Sequence, residues 1–274
     1  MTGNTETSTG TSTETSSLTT SDRRPLLELR GLGKRYGSVT ALSDVDMMVH
    51  AGEVVALVGD NGAGKSTLVK AIAGSHQTDS GVIALDGRPA HIGSPSDAAR
   101  LGIETVYQDL ALCDNLDVVA NLFLGREERR GPFRRFLAAG TMRRRAEQVI
   151  RELAVTLPSL DRPVASLSGG QRQAVAVCRA VLWGSRLVLL DEPTAALGVE
   201  QTAMVYGLVR GLRERGLGVL VISHNLSDVF AIADRIVVLR LGKVAGVFDP
   251  KRDSVDAVVS AITGGNVVAG AGVA

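Results

Sequence analysis

Large aromatic side chains are nearly missing from this sequence, at 3% of its 274 residues, although 45% of the chain is hydrophobic. The core must therefore be built from Val, Leu, Ile and Ala, which suits a parallel α/β sheet. Cysteine is scarce as well: Cys113 and Cys178 have a spacing that fits neither a metal site nor a disulfide framework. Both read as buried or idle thiols in a reducing compartment. Net charge is nearly absent too, because 30 basic residues against 29 acidic ones leave +1. No long-range field can hold a polyanion, so general nucleic-acid binding has no electrostatic support and any phosphate site must be local.

Long hydrophobic runs are also lacking. The longest uncharged stretch, 257–274, is diluted by glycines, Ser260, Thr263 and Asn266 and is too weakly apolar to span a bilayer. The first 22 residues are nearly all Thr, Ser, Gly, Asn and Glu, with no basic start and no apolar core, which excludes a secretory signal. Residues 1–25 read as a disordered tail. The chain reads as soluble, so work at a membrane would require a partner there.

What is present is organised. Segments 26–30 and 45–49 read as short strands, with Gly31, Gly33 and Gly37 breaking the path between them, as in an antiparallel front lobe. The β-branched run Val54–Val58 has the composition of a strand buried on both faces, and a helix is expected from about Lys65. Segment 82–85 with the Asp86-Gly87 pair reads as a hairpin, and Ser94 caps a helical start before a strand at 103–107. From 110 to 157 the pattern is helical and charge-rich without strand-like runs. Strands return at 187–190, 219–222 and 236–239, and no internal repeat is seen.

Gly59-Asp60-Asn61-Gly62-Ala63-Gly64-Lys65-Ser66-Thr67 fits the phosphate-loop pattern and lies where it must, between a buried strand and a helix. Its glycines let backbone N–H groups converge on phosphate oxygens, Lys65 reaches the terminal phosphates, and the Ser66 hydroxyl is placed for Mg²⁺. Downstream, Arg186-Leu187-Val188-Leu189-Leu190-Asp191-Glu192 is a buried strand delivering two carboxylates at its C-terminal end, where α/β sheets place ligands. Asp191 suits Mg²⁺ coordination, and Glu192 suits a general base that polarises water.

Leu167-Ser168-Gly169-Gly170-Gln171 matches the signature sequence of ABC transporter ATP-binding subunits, and the chain resembles that family over about residues 26–248. The resemblance implies an α/β fold: an ABC-type P-loop NTPase with a parallel-sheet RecA-like core, an antiparallel β subdomain, and an inserted helical subdomain at about 109–185. Residues 249–274 would be a short C-terminal tail, too short for the regulatory β-domain of some sugar-importer ATPases. By resemblance Tyr36 would stack on adenine, Gln108 would contact Mg²⁺ and the attacking water, and His224 would sit near the γ-phosphate. Ser168, Gly169, Gly170 and Gln171 of one subunit would close over ATP held by another. ATP and Mg²⁺ are the implied ligands. The implied partners are a second copy or a homologous cassette, a multi-span permease and, indirectly, an extracytoplasmic sugar-binding protein, with the chain at the cytoplasmic face of the membrane and no nucleic acid bound.

One departure stands out. Most ABC cassettes carry Ser-Ala-Leu-Asp after the Walker B glutamate, whereas Ala195-Ala196-Leu197-Gly198 ends in glycine. The stretch from Asp191 to Val199, together with Thr105-Val106-Tyr107-Gln108-Asp109-Leu110, is similar to the ATPases of bacterial ribose-, xylose- and fructose-type importers. The implied function is ATP hydrolysis powering monosaccharide import; the alternatives are an exporter motor, a soluble ABC ATPase acting on ribosomes or DNA, or a non-hydrolytic nucleotide sensor. The arginine-rich stretch from Arg126 to Arg151 reads as a solvated helical face, with contact to phospholipid head groups as the alternative.

Overall fold

The computed structural model describes residues 24–131 and 135–265. Most of the expected N-terminal tail and the end of the C-terminal one lie outside the described residues.

The chain begins with a long hairpin, β1 (Leu27–Tyr36) and β2 (Val39–Val49), paired antiparallel. Gly37 lies in the turn between the two strands, as expected of a break, but Gly31 and Gly33, also expected as breaks, lie within β1. Register shifts between Leu29 and Leu32 and again near Lys34 absorb them as bulges, and Gly31 takes a φ of 59°. A bulge needs one residue of unusual backbone, which glycine supplies without ending the ladder.

Next come β3 (Val54–Val58) and α1 (Lys65–Ile72), then β4 (Ser80–Leu85) and β5 (Arg88–Pro89), which extend the first hairpin into a four-stranded sheet of order β2-β1-β4-β5. Helix α2 (Pro95–Arg100) follows, its N-cap Ser94 accepting from Asp97 N–H, and leads into β6 (Ile103–Val106). The middle of the chain holds α3 (Val118–Phe123), a minimal pair of strands β7 (Arg129–Arg130) and β8 (Phe136–Leu137), α4 (Ala139–Glu152) and α5 (Gly169–Leu182). The β7–β8 pair corrects the expectation of a strand-free segment; two-residue strands are too short to show a period in sequence.

Three arginines of this region are engaged by acids. Arg143 pairs with Glu147 and Asp161, Arg145 with Glu128, and Arg126 with Glu104, while the Arg126 and Arg145 guanidinium groups lie over the Trp183 ring, each 5.3 Å from its centroid.

The rest alternates strand and helix: β9 (Leu187–Asp191), α6 (Val199–Glu214), β10 (Gly218–Ile222), α7 (Leu226–Ile232), β11 (Arg235–Arg240), then β12 (Lys243–Phe248) and α8 (Val255–Thr263). Six strands form one sheet in the order β12-β11-β3-β10-β9-β6, parallel except for the β12 edge. The stretch after Asp249, read from sequence as a tail, contains α8, whose Val258 and Ala261 are buried against Ile236, Val238 and Phe248.

The pleat divides the core. Val54, Val188, Leu190, Val219 and Val221 face α5 and α6 together with Val205, Leu208 and Val209. Their sequence neighbours Val55, Leu57, Leu187, Leu189, Leu220 and Ile222 face α1 and the antiparallel sheet. Successive residues on a strand point to opposite faces, so a sheet covered on both sides requires unbroken apolar runs. That requirement explains why β3 and β10 are buried at every position. The shortage of aromatics is met in the same way, since Phe123 is the one aromatic among the largest fully buried side chains. Burial pushes the Cys178 thiol up to about 12, which leaves it protonated and inert.

Candidate active site

Strands β3, β6, β9 and β10 run parallel, so their C-terminal ends meet at one edge, the edge at which open α/β sheets bind ligands. β3 delivers Gly59 there. Its φ is 154°, and a Cβ on it would lie 2.1 Å from the Leu239 carbonyl oxygen, so the loop passes too close to β11 for any side chain. Gly64 closes the loop with φ 107° and would bring a Cβ within 2.6 Å of the Ala41 carbonyl oxygen. It is also the N-cap of α1, which has no side-chain cap, leaving first-turn amides and the positive end of the helix dipole for an anion. Within the loop, Asn61 N–H donates to the Asp60 carboxylate at 2.7 Å and Ala63 N–H to the Asp60 carbonyl at 3.1 Å. Lys65 Nζ donates to the carbonyls of Gly59 and Asp60 at 2.8 and 3.0 Å, which places its ammonium across the loop mouth. Gly62, Ser66 and Thr67 complete the loop, and the Ser66 side chain is exposed.

Asp191 ends β9 half-buried. Burial, with the Glu192 charge beside it, raises its carboxyl above the ordinary range, while Lys70 and Lys65 oppose the shift. Among the described residues it has no ion pair. A half-buried carboxylate without a salt bridge, close to Lys65 and Lys70 of the helix that follows the phosphate loop, fits a hard cation held jointly with phosphate oxygens. The described protein groups do not suffice alone, since no cluster of three or more His, Cys, Asp or Glu is present among them.

Glu192 has φ 52°, left-handed backbone that costs about 1 kcal/mol or more and persists only when its surroundings hold it. Its N–H donates to the Ile222 carbonyl at 3.0 Å, and its Oε2 lies 2.6 Å from His224 Nδ1. The glutamate side chain is 18% exposed and the histidine 71%. The carboxylate thus sits in the wall, and the ring can turn outward.

The remaining candidates lie on separate elements. Tyr36 ends β1, 44% exposed, edge-on to His76 at 5.9 Å, with Lys34 Nζ 5.5 Å from its ring centre. Gln108 is exposed just beyond β6. Ser168 caps α5: its Oγ accepts from Gln171 N–H at 3.3 Å, while Gln171 Oε1 accepts from Ser168 N–H at 3.0 Å. That reciprocal box holds Gln171 by its own helix end. Gly169 and Gly170 let the helix press on Leu197 and Gln201. Among the described residues, no hydrogen bond joins residues 168–171 to the phosphate loop.

Two groups were not singled out in sequence. His76 packs on Tyr36, and Asp228 is buried although it sits in the first turn of α7. An aspartate there reads as a partner for the helix dipole, and only packing reveals its burial.

Gly198 does not need to be glycine. Its backbone is extended, at φ −75° and ψ 169°, it is the N-cap of α6 without a capping side chain, and nothing lies within 4 Å of a Cβ placed there. Gly198→Asp is expected to stabilise the fold by about 0.5 kcal/mol, raising Tm by about 1–2 °C in a thermal melt. A lower Tm would show that the position is strained.

The ABC transporter family model matches residues 42–195. The chain is 46% identical over 247 residues to the fructose import ATP-binding protein FrcA of Rhizobium meliloti, covering 88% of this chain and 95% of that protein. It is 46% identical over 228 residues to the xylose/arabinose import ATP-binding protein XylG of Sulfolobus acidocaldarius, covering 83% and 89%. Ribose import ATP-binding protein RbsA 1 of Rubrobacter xylanophilus is 43% identical over 81% of this chain, which spans 44% of that longer protein. Among solved structures, a nucleotide-free ATP-binding cassette from an ABC transporter superposes with a TM-score of 0.72 at 25% identity, covering 82% of this chain and 91% of that one. The cbiO1 protein of Clostridium perfringens, part of an ABC transporter complex, also gives 0.72, at 26% identity over 84% and 90%.

Proposed function

Since the chain belongs to the ABC transporter family as an ATP-binding, ATP-hydrolysing cassette, we propose that it drives the import of a monosaccharide through a separate membrane permease. The observation that carries the sugar reading is 46% identity along 95% of a fructose import ATP-binding protein, which leaves little of that protein without a counterpart. No described helix is long and apolar enough to cross a membrane. The translocation path is assigned to the permease, with this chain docked at its cytoplasmic face and an extracytoplasmic protein presenting the sugar.

In this reading Tyr36 stacks on adenine, the amides of residues 60–67 and Lys65 hold the phosphates, and Ser66, Asp191 and Gln108 hold Mg²⁺. When bound, the ion supplies positive charge that offsets charge on the phosphate oxygens. Glu192 takes a proton from the attacking water. His224, now paired with Glu192, turns to the terminal phosphate and frees the carboxylate for that task. Ser168 and the amides of Gly169 and Gly170 from a second copy complete the site in trans, so ATP draws two cassettes together and hydrolysis parts them. Such a pair has the two states a transporter needs.

The test is ATP turnover in proteoliposomes holding this chain with its permease and the matching sugar-binding protein. Fructose, xylose or ribose is expected to stimulate hydrolysis several-fold. Turnover indifferent to all three would remove the monosaccharide reading.

A further inference from the structure

The proposed mechanism uses the Glu192–His224 pair and leaves unexplained the buried carboxylate of Asp228. Its side chain takes three hydrogen bonds from three different segments. Thr194 Oγ1, in the turn that follows Glu192, donates to Oδ2. Tyr206 OH, on α6, donates to Oδ1 at 2.6 Å, and Asn225 Nδ2, beside His224, donates to the same oxygen at 2.9 Å.

Two of these donors are distant in sequence, Thr194 at 34 residues and Tyr206 at 22, while Asn225 is three residues away. A charge this buried is tolerated only when its hydrogen bonds are met. Burial, reinforced by the bond to Asp228, also pushes the Tyr206 hydroxyl well above its ordinary range, which keeps it a donor. Asn225 in turn caps α7, its side chain accepting from Ser227 N–H at 3.0 Å, and Ser223 Oγ accepts from Asn225 N–H at 3.0 Å. The turn carrying His224 is thus pinned on both sides. The turn carrying Glu192, whose left-handed backbone would relax if released, is pinned through Thr194.

We propose that Asp228 is a positioning residue for ATP hydrolysis, clamping the turn after Glu192 to the turn bearing His224 so that carboxylate and imidazole are held at the same edge of the site, each within reach of the terminal phosphate. This rests on the reading of Glu192 as the base and His224 as its phosphate-side partner. None of the clamp residues Thr194, Tyr206, Asn225 and Asp228 is among those assigned to nucleotide or Mg²⁺. Its loss disturbs the alignment of the reacting groups and leaves nucleotide binding intact.

The experiment compares wild type with Asp228→Asn, Thr194→Val, Tyr206→Phe and Glu192→Gln, recording Tm, ATP binding, KM and kcat for each full-length protein. Asp228→Asn is expected to lower kcat by about 10²-fold, the scale of a misplacement near 1 Å, with KM and ATP affinity within about twofold of wild type. The two single-donor variants are expected to lower kcat by about tenfold each, again with KM unchanged. Should Asp228→Asn fail to fold, those two variants decide by the same criterion. A folded set with wild-type kcat overturns the proposal, and so does a fall in kcat matched by lost ATP binding, which marks a merely structural role. If Glu192→Gln is inactive while Asp228→Asn is active, the clamp alone is wrong. If Glu192→Gln itself turns over ATP normally, the base assignment fails and takes the clamp with it.

Discussion

Glu192→Gln is expected to cut ATP turnover by about 10³-fold, the range of a lost general base, while ATP stays bound and the protein accumulates as a dimer. The physical argument begins with what the change preserves. Gln keeps the size and shape of Glu, so the left-handed turn and the N–H bond to Ile222 survive and the phosphate loop is untouched. What is lost is the basic oxygen now 2.6 Å from His224, and an amide cannot accept a proton from water. With hydrolysis blocked, the ATP proposed to join two cassettes is not consumed, and the joined state is expected to persist. Phosphate release under saturating Mg-ATP measures the first effect, and light scattering after size exclusion measures the second. A variant that remains monomeric with ATP bound would refute the composite site, and one that retains turnover would refute the assignment of the base.

Lys65→Ala is expected to weaken ATP binding by about 10²-fold, from the loss of charge-assisted hydrogen bonds that contribute about 1.5–3 kcal/mol each. In this structure the ammonium donates to Gly59 and Asp60 carbonyls, so it waits at the mouth of the loop on bonds it can exchange for phosphate oxygens. The loop itself should keep its path, because Gly59 and Gly64 are held by close approach to Leu239 and Ala41 and not by the lysine. Lys65→Arg is not expected to rescue binding, since a planar guanidinium cannot reproduce a compact point charge between two carbonyls. Titration calorimetry with ATP reads both variants. Wild-type affinity in Lys65→Ala would mean that the phosphates bind elsewhere.

Most of the parallel core is legible in the sequence. The β-branched run at Val54–Val58 and the apolar runs at β9, β10 and β11 each have the unbroken hydrophobicity that two covered faces demand, and the structure forms strands at each. Elements whose cause lies in packing were less visible. β12 alternates buried and exposed positions only weakly, and it is a strand because β11 offers a free edge. α8 is hidden in a stretch of mostly Val, Ala and Gly, and its small buried face, Val258 and Ala261, has meaning only against the sheet. The glycines of β1 read as breaks in sequence because a bulge and a break share one local signal; only the partner strand shows that pairing resumes.

The division has a physical origin. Residue order dictates the phosphate loop, the carboxylates ending β9 and the capped start of α5, because each depends on backbone and side chains within a few positions of one another. Folding in three dimensions brings Glu192 within reach of His224, buries Asp228 among Thr194, Tyr206 and Asn225, and seats Gly59 against Leu239. Those meetings follow from the strand order β11-β3-β10-β9, which arises from burying both faces of the sheet at once and which no local stretch of the chain encodes.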